Sequence, residues 1–445
     1  MDSFEFRDGA LHCEGVPAEF IARAAGTPTY VYSRATLLGH LGRLTRAFAP
    51  LDPLVCFSVK SCPNLAVLRT IVAAGAGLDV VSGGELQRAL AAGCPGERIV
   101  FAGVGKTDAE LELAMRSAIG LLNVESESEF AALVSVARRC GKQPRVALRI
   151  NPDVDPQTHR YTSTGKKETK FGVDIERARA FFRDRAGETA VRLCGLHLHI
   201  GSPVFRMEPF VDAVTKALAL IDELEAVGHR IEWLDLGGGF GADYFSGQSP
   251  AAADYAAAIV PILGERVARG LRIVLEPGRS IAANAGILLT RIIHMKSGGE
   301  RAFAICDAGM HTLLRPSHYD AFHFAWPVTP ADGLVPPHRA AEMALPGLSS
   351  VDIVGPICES GDFLALNRSL PSLKRGDLLA IFTTGAYGMS MASRYNSFGL
   401  PAEVLVDGER ALLIRRREEF GDLIRGETPT GEALELPSAQ AAGSR

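Results

Sequence analysis

Lys60 closes the apolar run VCFSVK, so a strand ending there delivers a primary amine to the rim of a fold. Desolvation at such a rim lowers the pKa of an ammonium group, which suits a lysine that forms a Schiff base. Two further runs, GGGFG over 237–241 and EPGR over 276–279, combine glycine backbone with a carboxylate and a guanidinium. Backbone N–H groups in such corners approach a phosphate closely because no Cβ stands in the way. Glu276 is a carboxylate of the kind that keeps a pyridine nitrogen protonated and so makes the ring an electron sink, and His199 in HLHIGS has a flat face to stack on it. Taken singly these signals are weak: a strand-terminal lysine is usually a solvated end, and a histidine on an apolar run is usually a core residue. A dinucleotide fingerprint fails, because it should follow the first strand of its unit with an acid about 20 residues on, and there is no GK[ST] for a nucleoside triphosphate.

The elements that must position these groups follow one theme from residue 54 to 279: a short β-branched run, a glycine or polar corner, then a helical period. The runs are LVCFSVK (54–60), GLDVVS (77–82), RIVFAG (98–103), LLNVES (121–126), RVALRIN (145–151), LCGLHLHIG (193–201), IEWLDLGGG (231–239) and LRIVLEPGR (271–279). Eight such units predict a (β/α)8 barrel of the α/β class rather than an open doubly wound sheet, and barrels carry their chemistry at the C-terminal strand ends. Lys60, Asp79, Ser82, Glu125, Asn151, His199, Gly237 to Gly239, Glu276 and Arg279 all fall there.

After residue 286 the texture changes to strand-like runs without helices between them, including ILLTRIIHM, AFAICDA, SVDIVGPIC, LLAIFTT, AEVLVDG and ALLIRR, which predicts an all-β domain. The N-terminal SFEFRDGALHCEG reads as a hairpin with an Asp-Gly turn, too small to stand alone. The expected division is N-terminal strands over 1–28 joining the β domain, a barrel over 29–285, the β domain over 286–425 and a fraying tail over 426–445. At 445 residues the chain exceeds one hydrophobic core, in keeping with two domains.

A charged share of 22% and a net charge of -4 leave no surplus of Lys and Arg for a polyanion, which argues against a nucleic-acid partner. The start is charged and glycine-broken, unlike a secretory signal, and no run reaches membrane-spanning length. The eight cysteines are scattered without CxxC pairs, against a zinc site or a disulfide framework and in favour of a reducing cytoplasm.

The motifs FSVK, DVVSGGEL, NVES, RINPDVDPQTH, STGKKETKFG, HLHIGS, DLGGGFG, EPGR, CESGD and GAYGMSMASRYN occur in this order between about Tyr30 and Asp407. Together they make the chain resemble the fold-type III pyridoxal-phosphate decarboxylases, and within them the diaminopimelate decarboxylase family. The resemblance implies pyridoxal 5'-phosphate as cofactor, with Lys60 its covalent anchor, His199 stacked on its ring and Glu276 on its nitrogen. It implies phosphate or cofactor contacts for Asp79, Ser202, Gly238, Gly239, Gly278, Arg279 and Tyr387, and substrate contacts for Arg279, Arg315, Tyr319, Glu359 and Tyr387. It further implies a homodimer with shared sites, in which Cys358 of one subunit protonates the intermediate formed on the other and Glu359 receives the substrate's distal amine.

The activity so implied is decarboxylation of meso-2,6-diaminopimelate to L-lysine and CO2, with no metal. Its rivals are a sister enzyme acting on ornithine, arginine or a carboxylated polyamine, a Lys-plus-Tyr racemase, and a non-enzymatic homologue. Arg315 speaks against the first, CESGD against the second, and the retention of Lys60 and Cys358 against the third. The sequence departs from the family pattern at SCPN after Lys60 and at DAFHFAWP after Tyr319, and the lysine-rich loop HRYTSTGKKETKFG (159–172) reads either as a lid or as a solvated basic loop.

Overall fold

The computed structural model describes residues 2–155, 170–299, 301–331, 333–340 and 342–432. Eight parallel strands close on themselves in the order Leu54–Ser58, Gly77–Val80, Ile99–Phe101, Leu121–Val124, Arg145–Asn151, Arg192–Leu198, Trp233–Asp235 and Arg272–Leu275. Closure is made where Leu275 pairs Val55 and Val274 pairs Leu54. The predicted barrel is therefore present, and its strands are shorter than the apolar runs where glycines intervene. The seventh run, IEWLDLGGG, keeps only Trp233–Asp235 as strand, since Gly237 adopts a φ of 66° and Gly239 a φ of 102°.

The helices between strands start where the sequence offers a side-chain oxygen to the free N–H groups of a first turn. Asn64 caps Leu65–Ala73, Ser82 caps Gly83–Ala91, Thr107 forms a capping box with Glu110, and Ser126 caps Glu127–Cys140. Their apolar faces pack on the outside of the barrel within the large core cluster.

The inside of the barrel is two-layered, and the strand period of two explains it. Cys56, Leu121, Ala147, Trp233 and Val274 belong to a separate buried apolar cluster within the barrel. Two residues further along the same strands stand Ser58, Asn123, Arg149, Asp235 and Glu276, all buried and all polar or charged. The barrel is thus plugged by hydrocarbon at one end and lined with hydrogen-bonding groups at the C-terminal mouth.

A nine-stranded sheet, mainly antiparallel, forms the second layer, centred on the long strand Gly286–Gly298. The N-terminal strand Thr29–Ser33 enters this sheet, antiparallel to Gly286–Gly298 and parallel to Ala402–Asp407. The hairpin strands Phe4–Arg7 and Ala10–Cys13, with Val16–Pro17, form a sheet of three tied to the second layer by Leu11 N–H donating to Val328 O at 2.8 Å. The loop expected to act as a lid lies outside the described residues up to position 169, as does the tail beyond 432.

Candidate active site

Lys60 does not sit on its strand but on the helical turn Val59–Ser61 that follows it. The turn is held by Ser61 Oγ donating to Ser58 O at 2.7 Å, by Ser58 N donating to Pro277 O at 3.0 Å and by Tyr387 N donating to Ser61 O at 2.8 Å. The first strand, the eighth strand's exit and the second layer all fix one lysine. Its Nζ reaches Asp79 Oδ2 at 2.8 Å, which also accepts Ser58 Oγ–H at 2.6 Å.

One expectation is corrected here. Burial does act to lower the Lys60 pKa, but the carboxylates of Asp79 and Glu276 more than offset it, and the ammonium is held above its ordinary value. Without an electrophile, this mouth favours the charged amine because acids outnumber cations around it.

Glu276, at the exit of the eighth strand, is buried, with its Oε2 3.5 Å from His197 Nε2. Polar atoms of Glu276, His197 and Asp235 all lie within 4.8 Å of one another. Burial, then repulsion by Asp79, pushes the Glu276 carboxyl up to about 8, while burial lowers His197 to about 4. Glu276 Oε1 and both ring nitrogens of His197 are buried without hydrogen-bond partners among the described residues. An unpaired buried acceptor is costly, so the site is shaped for a donor that the protein does not itself supply. A ring N–H facing Glu276 fits that vacancy in the hydrogen-bond pattern.

His199, six residues after the start of the sixth strand's run, accepts Gly238 N–H on Nδ1 at 3.2 Å. Burial, then the positive charges of Arg149 and Lys60, drives its pKa well below the ordinary value, so the ring is neutral. Glycine is required around it: a Cβ on Gly238 would lie 2.4 Å from Glu276 O, and one on Gly239 2.6 Å from Gly201 O. A Cβ on Gly278 would meet Ser58 and Ser61 at 3.0 Å. These corners form a backbone-walled cradle beside Ser202, whose Oγ accepts Arg279 Nε–H at 3.0 Å. The residues present therefore fit pyridoxal phosphate in both its charged ends.

Tyr387 holds a φ of 58°, rare for a tyrosine, and its ring lies 4.8 Å from the Arg279 guanidinium. Arg279 also donates to Tyr244 OH at 2.7 Å. Arg315, at the start of the short helix Arg315–Tyr319, has the rings of Tyr244 and Tyr319 at 5.4 Å and 5.6 Å. Both arginines are buried, at 5% and 6% exposure, and among the described residues neither has a carboxylate partner. Burial opposes ionisation of Tyr244, yet the two guanidiniums bring its phenol below the ordinary value.

Cys358 and Glu359 are exposed on the turn between Ser349–Val354 and Phe363–Leu370. The turn is built on Asp362, whose carboxylate accepts the N–H groups of Met310 and Ile357, each at 2.6 Å. Asn396 Oδ1 accepts Cys358 N–H at 3.0 Å, and Glu359 Oε2 accepts Tyr395 O–H at 2.9 Å.

The structure thus brings Lys60, Asp79, His199, Ser202, Gly238, Gly239, Glu276, Gly278, Arg279 and Tyr387 to one mouth, with Arg315 and Tyr319 beside it. It presents Cys358 and Glu359 on a separate exposed turn. Sequence reasoning missed His197, Asp235, Tyr244, His323, Asp362, Tyr395 and Asn396 as participants. All but Tyr244 lie inside stretches already singled out, His323 within DAFHFAWP; Tyr244 sits just beyond DLGGGFG with nothing in its spacing to mark it. A cavity of about 490 Å³ lined by Asp2, Phe245, Phe324 and Arg339 among others contains none of the candidate residues.

The model of the pyridoxal-dependent decarboxylase pyridoxal binding domain matches residues 35–283. A protein named diaminopimelate decarboxylase from Pseudomonas aeruginosa is 46% identical over 429 residues, covering 96% of this chain and 99% of its own. The crystal structure of diaminopimelate decarboxylase from Helicobacter pylori complexed with L-lysine superposes with a TM-score of 0.85 at 37% identity, covering 92% of this chain and 98% of that one. That from M. jannaschii in co-complex with L-lysine gives 0.88 at 35% identity, covering 96% and 98%. Matches of this extent, on a barrel whose mouth fits the cofactor, show that the chain belongs to the diaminopimelate decarboxylase family of pyridoxal-dependent decarboxylases.

Proposed function

We propose that this protein removes CO2 from meso-2,6-diaminopimelate to give L-lysine, the last step of lysine biosynthesis, as a pyridoxal-phosphate-dependent carboxy-lyase. The observation that carries the reading is the pair of buried guanidiniums, Arg279 and Arg315, without carboxylate partners among the described residues. A diamine precursor such as ornithine brings a distal cation to such a pocket. A substrate carboxylate completes it through parallel charge-assisted hydrogen bonds.

When bound, pyridoxal phosphate supplies the electron sink for the carbon–carbon bond cleavage. Lys60 would hold it covalently, with Asp79 beside Nζ to take up or return a proton as that amine changes protonation. Glu276 would accept the ring N–H, and His199 would bound one face. Ser202, Gly238, Gly239, Gly278 and Tyr387 would hold the phosphate, while Arg279, Arg315 and Tyr319 would bind and orient the substrate.

Cys358 delivers the proton to the carbon that loses CO2, and Glu359 receives the distal amine. Both act on the site of a second subunit in a homodimer. This is supported by their exposure on a turn that Asp362 holds through the N–H groups of Met310 and Ile357. No described helix is long and apolar enough to cross a membrane. The reading places the enzyme in the cytoplasm, whose reducing conditions suit its eight free cysteines.

The test is kcat/KM for meso-diaminopimelate, lysine, ornithine and arginine. A site built around buried polar pairing discriminates by about 10⁴–10⁵ against substrates that leave it unpaired. Preference for ornithine or arginine contradicts the substrate assignment and leaves the cofactor assignment intact.

A further inference from the structure

His323, in the stretch DAFHFAWP, is fully buried beside Arg315. Its Nδ1 lies 3.0 Å from the carbonyl oxygen of Phe382. A carbonyl can only accept, so Nδ1 carries the hydrogen. Nε2 of the neutral ring is then a bare lone pair, and it accepts Arg315 Nε–H at 3.4 Å. A protonated ring is excluded at this position, since it would set N–H against N–H and cation against cation. The charged and titratable groups around it are Arg315, Arg279, Arg368 and Tyr244, the last packing edge-on at 5.4 Å.

We infer that His323 is a positioning residue for substrate choice: its neutral imidazole occupies Arg315 Nε without neutralising the guanidinium, leaving both terminal NH2 groups and the full charge for the substrate's distal carboxylate. The inference rests on the function proposed above. A carboxylate in the place of His323 would fix Arg315 equally well and would remove the charge the substrate needs. Arg279 follows the same rule, its donors going to Ser202 Oγ and Tyr244 OH rather than to an acid. Neutral acceptors thus hold two like charges in a buried pocket until an anion arrives.

Holoenzymes carrying His323→Gln, His323→Met and His323→Glu provide the test, with kcat and KM measured on meso-diaminopimelate and on lysine. Gln and Met are similar in length, but Gln keeps an amide N–H able to donate to Phe382 O and Met does not. They also differ in whether an oxygen faces Arg315 Nε. Met should raise KM for diaminopimelate at least about tenfold over Gln, with kcat changed less and lysine turnover shifted equally in the two. Glu should raise it by about 10² or more, through loss of net charge rather than loss of position. Equal KM values for Gln and Met overturn the positioning role, and a Glu variant that binds diaminopimelate as well as the Gln variant overturns the charge argument. A wild-type enzyme with no preference for diaminopimelate over lysine overturns the underlying reading instead. The Gln and Met pair decides the matter even where the Glu variant fails to fold.

Discussion

The barrel mouth and the Cys358 turn are both held by hydrogen bonds to their own backbone, but they are finished to different degrees. At the mouth, Lys60, Asp79, Ser58, His199 and Arg279 are each engaged within one chain, and the buried acceptors left over face inward. On the turn, Asp362 clamps the backbone while Cys358 and Glu359 stand in solvent with partners only on Tyr395 and Asn396 among the side chains described. The mouth is built to bind and polarise, and needs a small molecule to satisfy it. The turn presents two groups to solvent, and the dimer proposed above would bring them to the mouth of a second subunit.

Removing the anchor separates the two regions most sharply. Lys60→Ala should abolish covalent attachment of the cofactor and lower turnover by on the order of 10⁴–10⁶, the scale on which loss of a covalent catalytic group acts. Peptide mapping after borohydride reduction checks this; a pyridoxyl label on another lysine contradicts the assignment of Lys60.

The turn should matter less and differently. Cys358→Ala should lower kcat by about 10²–10⁴, the worth of a positioned acid, while leaving the absorbance of the bound cofactor near 420 nm unchanged. A lost or shifted band would place the thiol in the barrel's own machinery and erase the contrast drawn here.

Arg315→Ala should act on substrate choice alone. We expect kcat/KM for diaminopimelate to fall by about 10²–10³ through loss of a buried charge-assisted pair, with lysine turnover nearly unchanged, so that the ratio between them narrows. Parallel losses on both substrates would show that Arg315 supports the pocket rather than reading the carboxylate.

The smallest effect is one of pH. Burial, then the charge of Arg315, pushes His323 down to about 3, against about 6.5 in an unfolded chain. Between those values the unfolded state binds one more proton, so this group's stabilisation is complete above pH 6.5 and falls as pH decreases. His323→Gln removes that dependence. Relative to wild type, the variant should gain about 2 kcal/mol in unfolding free energy between pH 6.5 and pH 5, as measured by denaturant titration. A constant difference across that range contradicts a neutral, buried His323.

Much of this was legible in the sequence because barrels repeat. The alternation of β-branched run, corner and helical period located each strand, and the C-terminal ends of those strands held Lys60, Asp79, His199, Glu276 and Arg279. The strand TYVYS at Thr29–Ser33 escaped, since all five residues are buried and no alternation betrays which sheet they join. The sign of the Lys60 shift escaped for a related reason: it depends on the sum of burial and two carboxylates 19 and 216 positions along the chain, which only folding brings together. His323 and Tyr244 were hidden because each matters through a hydrogen bond to an arginine, which leaves no spacing in the chain.

The most direct measurement mixes the two halves. Lys60→Ala and Cys358→Ala proteins, each inactive or nearly so, are combined under conditions in which subunits exchange. A site shared between subunits predicts that hybrid dimers regain activity, since one of their two mouths then has both a lysine and a facing cysteine. Demonstrated exchange with no recovery of activity would contradict the account, because it would mean that mouth and turn serve the same chain.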